Sequence, residues 1–135
     1  MSAGRAFIDT NLLVYLYSDT EQNKKLKVIK VLSQYECVIS TQVLNEFCNV
    51  CIRKMKIAVN DVRKALEEIT AVCHLVNVYE KDIDCALRIH EIYGYSYFDS
   101  LMIASSLESG CQYLFSEDMA SAQIIDSQVM IKNIF

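Results

Sequence analysis

Short apolar runs alternate along this chain with longer segments whose apolar residues recur every three or four positions. The short runs predict buried strands at residues 6–8, 37–39, 75–78, 113–115 and 129–131. The 3.6-residue periodicity predicts helices at about 21–34, 41–55, 59–72, 80–93 and 99–109. Apolar strands that alternate with helices are typical of a parallel sheet covered on both faces. We therefore expect an α/β fold, a three-layer α/β/α sandwich with a central parallel sheet.

The domain organisation is expected to be simple. The chain has 135 residues, which is within the roughly 100–200 residues of one ordinary domain. No linker, repeat or low-complexity segment divides it, and 53% of its residues are hydrophobic, enough to bury a core. We interpret residues 1–135 as one domain.

Several residue types are scarce, and their scarcity excludes some classes of catalytic and binding site. The sequence holds 3 Gly, 2 His, no Pro and no Trp. The glycines are too far apart to form a phosphate-binding loop, and His74 and His90 do not have the spacing of a zinc site. Any reaction must therefore depend mainly on carboxylates, hydroxyls or thiols.

The apolar runs and the cysteines indicate the compartment. No stretch reaches the roughly 18 apolar residues of a membrane helix, and no long apolar run precedes Asp9, so we expect a cytoplasmic protein without a signal peptide. The six cysteines are then expected to be free thiols. Cys48 and Cys51 form a CxxC pair without a second pair, and we interpret them as buried helix residues.

Four carboxylates stand at or near the predicted strand ends. Asp9 follows the first strand, Asp118 follows the fourth, and Asp99 begins the last helix. Each of these aspartates could serve simply as a helix N-cap. Glu46 lies inside the helix after the second strand, at the edge of its apolar stripe, where it caps nothing. Because ligands of such sheets bind beyond the carboxyl ends of the strands, we expect these four side chains to meet in one hollow.

Electrostatics then suggests a metal. Two carboxylates ~4 Å apart repel by about 4 kcal/mol at an effective dielectric constant near 20. The sequence shows no cluster of cations to neutralise four of them, so either some are protonated or a divalent cation occupies the site. Oxygen ligands select hard cations such as Mg²⁺ or Mn²⁺, which bind phosphate oxygens and activate water for phosphodiester cleavage. Such a metal would let an acidic protein, of net charge −4, bind a polyanion.

The basic residues are open to two interpretations. They crowd into two segments, one with Lys24, Lys25, Lys27 and Lys30 and the other with Arg53, Lys54 and Lys56. Such residues are solvated helix faces or phosphate contacts, and charge alone does not decide between them. We consider Lys24, Lys25 and Arg53 candidates for contact with the phosphate backbone of a nucleic acid.

The acidic motifs resemble those of the PIN-domain nucleases, and among them the VapC-type toxins of toxin–antitoxin systems. The matching stretches, in order, are residues 7–11 (FIDTN), Glu46, residues 97–104 (YFDSLMIA), Gly110 and residues 114–119 (LFSEDM). They span nearly the whole chain. The resemblance implies an α/β/α fold, an acidic pocket that binds Mg²⁺ or Mn²⁺, cleavage of RNA, a cognate antitoxin and a homodimer.

The resemblance also assigns roles to individual residues. It implies that Asp9, Glu46 and Asp99 are carboxylates directed at the metal and that Asp118 is the fourth acid. Thr10, Asn11 and Ser116 resemble supporting hydrogen-bonding groups. Glu117 stands beside Asp118, and the choice between these two at the metal stays open.

Two other protein classes use a related scaffold. A phospho-receiver domain binds Mg²⁺ and needs a lysine near the last strands, where Lys132 stands, but its acceptor aspartate would fall within residues 78–80, which are Val-Tyr-Glu. A dehalogenase-type phosphatase needs a second aspartate at position 11, which is Asn11. A non-catalytic binding module on the same fold is the third alternative.

Overall fold

The computed structural model describes residues 2–119 and 121–135. Its strands are β1 (Arg5–Ile8), β2 (Glu36–Ser40), β3 (His74–Val76), β4 (Tyr113–Phe115), β5 (Ile124–Ile125) and β6 (Val129–Lys132). Its helices are α1 (Thr10–Tyr15), α2 (Gln22–Gln34), α3 (Thr41–Arg53), α4 (Val59–Val72), α5 (Glu80–Tyr93) and α6 (Tyr97–Glu108).

The strands form one mixed, mostly parallel sheet in the order β3-β2-β1-β4-β6-β5. All neighbouring pairs are parallel except β5 and β6, which pair antiparallel. The expected parallel sheet is therefore confirmed over five strands. Strand β5 is an addition that the sequence did not predict, because two residues are too few to show a hydrophobic period.

The central strand is covered on both faces. Ala6, Phe7 and Ile8 point alternately to the two faces of the sheet, and all three are fully buried. Helix α6 is enclosed as well, since the seven residues of 100–106 are all buried, the serines included. A helix that is apolar nearly all round packs inside the protein rather than on its surface. These burial patterns confirm the three-layer arrangement.

Strand order creates a crevice between β1 and β4. The chain begins at β1 in the middle of the sheet, moves to β2 and β3 on one side, and crosses back to β4 on the other. Ile8 of β1 is paired with Phe115 of β4, so the residues after these strands emerge side by side. The carboxyl ends of strands at such a switch point are the usual location of a ligand site in α/β proteins.

Local caps place several element ends differently from the sequence prediction. Helix α6 begins at Tyr97, with Ser96 as its N-cap, so Asp99 lies in the first turn instead of preceding the helix. Asp118 lies in an irregular loop between β4 and β5, so the helix-cap alternative considered for it does not apply. Helix α1, with Asp9 as its N-cap, was not predicted, because six residues are under two turns and show little periodicity. The other predicted helices agree with the structure to within two residues.

The cysteines agree with the expectation of free thiols, but of the CxxC pair only Cys51 is buried, and Cys48 is half-buried. All six are free, and Cys48 and Cys51 lie within α3. Burial raises the pKa of Cys37 to about 12 and that of Cys73 to about 11, so these thiols stay protonated near neutral pH. Among the described residues, no helix has the length and apolar character needed to cross a membrane.

Candidate active site

Asp9 lies where strand β1 passes into helix α1. Its backbone N–H donates to the carbonyl of Phe115 at 3.1 Å, which fixes it against the end of β4. Its Oδ1 accepts from the N–H of Thr10 at 2.6 Å, and its Oδ2 accepts from the Ser116 hydroxyl at 2.7 Å. The side chain is therefore buried, and its orientation is set by donors from both strand ends.

Ser116 connects the two strand ends. Its hydroxyl donates to Asp9, and its oxygen accepts from the N–H of Met119 at 3.2 Å. One buried serine thus holds the Asp9 carboxylate and shapes the loop that carries Asp118. The supporting role that the resemblance implied for Ser116 stays a prediction.

Glu46 faces the same space from helix α3. Its Oε2 accepts from the Thr10 hydroxyl at 2.7 Å, and its Oε1 accepts from the Gln42 side-chain amide at 3.1 Å. The sequence showed no basic partner for Glu46, and the structure holds it with two neutral donors instead. Its negative charge is stabilised by hydrogen bonds but is not neutralised.

Asp99 and Asp118 complete the set of acids. Asp99 sits in the first turn of α6, where its backbone N–H donates to the Ser96 hydroxyl at 3.3 Å. Asp118 accepts a short hydrogen bond from the side-chain amide of Asn11. Asn11, like Thr10, belongs to α1, so this short helix positions both Glu46 and Asp118.

The four carboxylates line one pocket of about 260 Å³. The residues around it are Asp9, Thr10, Asn11, Glu46, Asn49, Val50, Asp99, Met102 and Asp118. We call it the acidic pocket. No Lys, Arg or His is among these described residues, so the four acids share the space without a basic side chain.

Sequence reasoning missed two polar residues of this region. Asn49 lines the acidic pocket one helical turn after Glu46, and Gln42 holds the Glu46 carboxylate from one turn before it. Their spacing of three and four residues from Glu46 places all three on one face of α3. That spacing was the available signal for both.

Glu117 is directed away from the acidic pocket. Its carboxylate accepts from the Lys24 ammonium at 2.6 Å and from the Tyr15 hydroxyl at 2.5 Å. Of the two neighbouring acids left open by the sequence, only Asp118 lines the pocket. Lys24, expected as a possible RNA contact, is engaged with Glu117, while Lys25 and Arg53 lie outside the acidic pocket.

Burial and crowding raise the pKa of the innermost acids. Burial raises the pKa of Asp9 to about 6; the hydrogen bonds from Ser116 and Thr10 oppose this rise, and the charges of Asp99 and Glu46 add to it. The pKa of Asp99 is also raised, first by burial and then by the charges of Glu46 and Asp118. The negative charges of these acids therefore repel one another, as the sequence led us to expect.

The donor set can be compared with the needs of a divalent metal. Carboxylate and amide oxygens are the ligands that Mg²⁺ and Mn²⁺ prefer, and a cation would relieve the repulsion that raises these pKa values. Within residues 2–119 and 121–135, however, no three Asp, Glu, His or Cys side chains are arranged to hold a metal ion as they stand. The carboxylates are instead turned toward their hydrogen-bond donors. The pocket fits a hard cation by donor type and charge, and ligation requires these side chains to rotate toward a common centre.

The phospho-receiver alternative is not supported by the position of Lys132. This lysine lines a different pocket, together with Lys27 and Lys30, and is not among the residues around the four acids. A receiver-type site would need the lysine beside the carboxylates.

A family profile described as the PIN domain matches residues 6–124 of this sequence. The match covers most of the chain, and it includes all four acids of the pocket. The chain therefore belongs to the PIN domain family. A comparison with curated proteins gives no match.

Solved structures of similar fold include a toxin and toxin–antitoxin complexes. VapC20 of Mycobacterium tuberculosis, described as a sarcin-ricin loop cleaving toxin, is 16% identical with a TM-score of 0.67, covering 84% of this chain and 89% of that one. VapBC2 of Rickettsia felis, bound to a DNA fragment from its promoter, is 16% identical with a TM-score of 0.68, covering 96% and 98%. A toxin–antitoxin complex of Klebsiella pneumoniae is 14% identical with a TM-score of 0.71, over the same shares. At these identities the likeness establishes the fold.

Proposed function

We propose that this protein is a Mg²⁺- or Mn²⁺-dependent endoribonuclease that hydrolyses RNA phosphodiester bonds and acts as the toxin of a toxin–antitoxin pair. The observation that carries the proposal is the acidic pocket, where Asp9, Glu46, Asp99 and Asp118 surround one space without a basic side chain among the described lining residues. Such a concentration of negative charge is costly unless a cation binds there.

The family and the structural neighbours support this function. PIN domains and VapC toxins are in general nucleases. One neighbour is described as cleaving the sarcin-ricin loop, and others are complexes of a toxin with its antitoxin. By analogy with these complexes we propose an antitoxin partner. A homodimeric state and a cytoplasmic location are proposed from the sequence alone.

The carboxylates divide into two groups by their surroundings. We assign Asp9 and Asp99 as the principal metal-holding residues, because burial first, and then the charges of neighbouring acids, raise the pKa of both. Glu46 and Asp118 complete the set. A bound Mg²⁺ or Mn²⁺ supplies activation of water and stabilisation of the charge that develops on the phosphate oxygens.

The remaining groups of the pocket orient the acids. The Ser116 hydroxyl and the Thr10 N–H each donate to one oxygen of Asp9, so this carboxylate is held in one orientation. Thr10 and Gln42 fix Glu46, which is positioned as an acceptor for a proton from the attacking water, a role that Asp118 could share. The side-chain amide of Asn11 holds Asp118 at the rim.

The test is direct cleavage. Purified protein is incubated with labelled single-stranded and structured RNA in Mg²⁺, in Mn²⁺ and in EDTA, with Asp9→Asn as the matched inactive control. We expect cleavage only with metal and only by the wild type, and sequencing of RNA ends after induced expression then identifies the target. Wild-type protein that cleaves no RNA with either metal, or an Asp9→Asn variant with full activity, contradicts the proposal.

A further inference from the structure

A second pocket adjoins the acidic pocket along the same two helices. It has a volume of about 420 Å³ and is lined by Thr41, Gln42, Asn45, Glu46, Val78, Phe98 and Leu101. Glu46 lines both pockets. We call the second one the lateral pocket.

Helices α3 and α6 form the walls of both pockets. On α3, Gln42 and Asn45 line the lateral pocket and Asn49 lines the acidic one, so the residues at these helical spacings form a continuous polar strip. On α6, Phe98 belongs to the lateral pocket and its neighbour Asp99 to the acidic pocket. An RNA strand that binds with one phosphate among the four acids can therefore place an adjacent group in the lateral pocket.

Phe98 offers an aromatic face at this point. Its side chain is 63% exposed, although it is large and apolar. The Tyr97 ring contacts it edge-on at 5.4 Å between centroids, and Tyr97 itself packs on a small core cluster of Ala86, Leu101 and Ala104. The ring is therefore contacted by Tyr97 and largely exposed to solvent, and an exposed aromatic ring can stack on another ring.

Gln42 leaves an acceptor unused in the wall of the same pocket. Its side-chain nitrogen donates to Glu46 Oε1 at 3.1 Å and to the Phe98 carbonyl at 3.0 Å, so both amide hydrogens are engaged. These two acceptors also fix which end of the amide is nitrogen. The Gln42 Oε1 is buried and has no hydrogen-bond partner among the described residues, and the whole residue is only 9% exposed. Because this oxygen is closed to solvent, a molecule in the pocket does not reach it, and the role of Gln42 is to hold Glu46 and the start of α6.

We propose that the lateral pocket binds one unpaired nucleobase of the RNA, adjacent to the bond that is cut. Phe98 stacks on the base, whose polar edge lies along Gln42 and Asn45 in the α3 wall of the pocket. Stacking on an aromatic ring and hydrogen bonding to an exposed base edge are how proteins bind single-stranded RNA. The inference rests on the proposed ribonuclease function, and it adds that an unpaired base beside the cleaved bond is part of what the site recognises.

The experiment uses a short single-stranded RNA with one mapped cleavage site and a set of versions with a single abasic residue near that site. For the wild type, we expect one flanking position where loss of the base raises KM about tenfold. Phe98→Ala should raise KM for the unmodified RNA by a similar factor and remove the sensitivity to that abasic residue, while kcat changes little. Phe98→Tyr should restore both. Replacing that base with an apolar isostere without N–H groups should cost less than removing the base, because stacking on Phe98 remains.

Ile92→Ala is the matched control, since Ile92 is 60% exposed on α5 and lines neither pocket. If the wild type cleaves RNA and Phe98→Ala keeps the same KM and the same sensitivity to the abasic residue, the base pocket is wrong. The proposed ribonuclease function is not contradicted by that result. An equal loss in Ile92→Ala also overturns it. If Phe98→Ala cleaves RNA normally but is inhibited less by an antitoxin, the pocket belongs to a protein segment and the inference is wrong. If the wild type cleaves no RNA, the proposed function fails and this inference fails with it.

Discussion

Two consecutive acids, Glu117 and Asp118, have opposite surroundings. Glu117 pairs with the Lys24 ammonium at 2.6 Å and accepts from Tyr15, and these two hydrogen bonds lower its pKa. Among the described residues, the hydrogen-bond partner of the Asp118 carboxylate is the neutral amide of Asn11, and Asp118 lines a pocket with three further carboxylates. A single step along the backbone separates a neutralised acid from a crowded one.

This difference shows where the protein keeps uncompensated negative charge. Lys24 lies over the rings of Tyr15 and Phe135, at 4.8 Å and 5.3 Å from their centroids, so its position is fixed toward Glu117. The acidic pocket has no such cation among its lining residues. Glu117 therefore contributes to the packing of α1 and α2 against the loop. The acids of the pocket have no basic side chain among the described residues that line it.

The largest expected effect separates the two regions by activity. Asp99→Asn should lower metal-dependent RNA cleavage by more than about 100-fold, and Asp118→Asn by about tenfold or more, because each removes a carboxylate from the metal-binding set. Glu117→Gln removes the neighbouring charge and should stay within about twofold of wild type. The measurement is kcat/KM on one RNA substrate at saturating Mg²⁺. Equal losses in Glu117→Gln and Asp118→Asn would remove the distinction between the two acids.

A second prediction concerns stability in the presence of metal. A cation that binds only the folded protein stabilises it, by about 1.4 kcal/mol at a concentration ten times its Kd, which raises Tm by about 4 °C in a domain of this size. We expect this shift with Mg²⁺ or Mn²⁺ in the wild type and in Glu117→Gln, but not in Asp9→Asn. Thermal unfolding with and without EDTA measures it. A shift that survives in Asp9→Asn would place the cation elsewhere.

A third prediction is a pH dependence of the metal-free protein. The pKa of Asp9 is raised from 3.8 to about 6, so the folded state binds its proton more tightly than the unfolded state does. The stability from this group is fully present below about pH 4 and is lost as the pH rises through about 6, a change of up to about 3 kcal/mol. Denaturant unfolding in EDTA should show that Asp9→Asn is more stable than wild type at pH 7.5 and that this advantage disappears near pH 4. The same pH profile in both proteins would mean that the pKa of Asp9 is not raised in the folded state.

Much of the fold was readable because it depends on local patterns. Helices α4 and α5 have the predicted bounds, since their apolar residues repeat over about four turns. Helix α1 and strand β5 were missed because six and two residues are too short to carry a period. The first turn of α6 was missed because Ser96, and not Asp99, supplies the capping oxygen.

The sequence by itself determined which residues bear charge and which segments follow which strands. From that, the four acids of the site and the preference for a hard cation could be inferred. Only the tertiary structure decided their partners. Lys24 pairs with Glu117 and not with Asp118. The Thr10 hydroxyl donates to Glu46 across 36 positions of sequence, and the Gln42 amide donates to the carbonyl of Phe98. Hydrophobic periodicity reports burial within one element, whereas hydrogen bonds and ion pairs depend on distances of a few ångströms between elements that only the packed fold brings together.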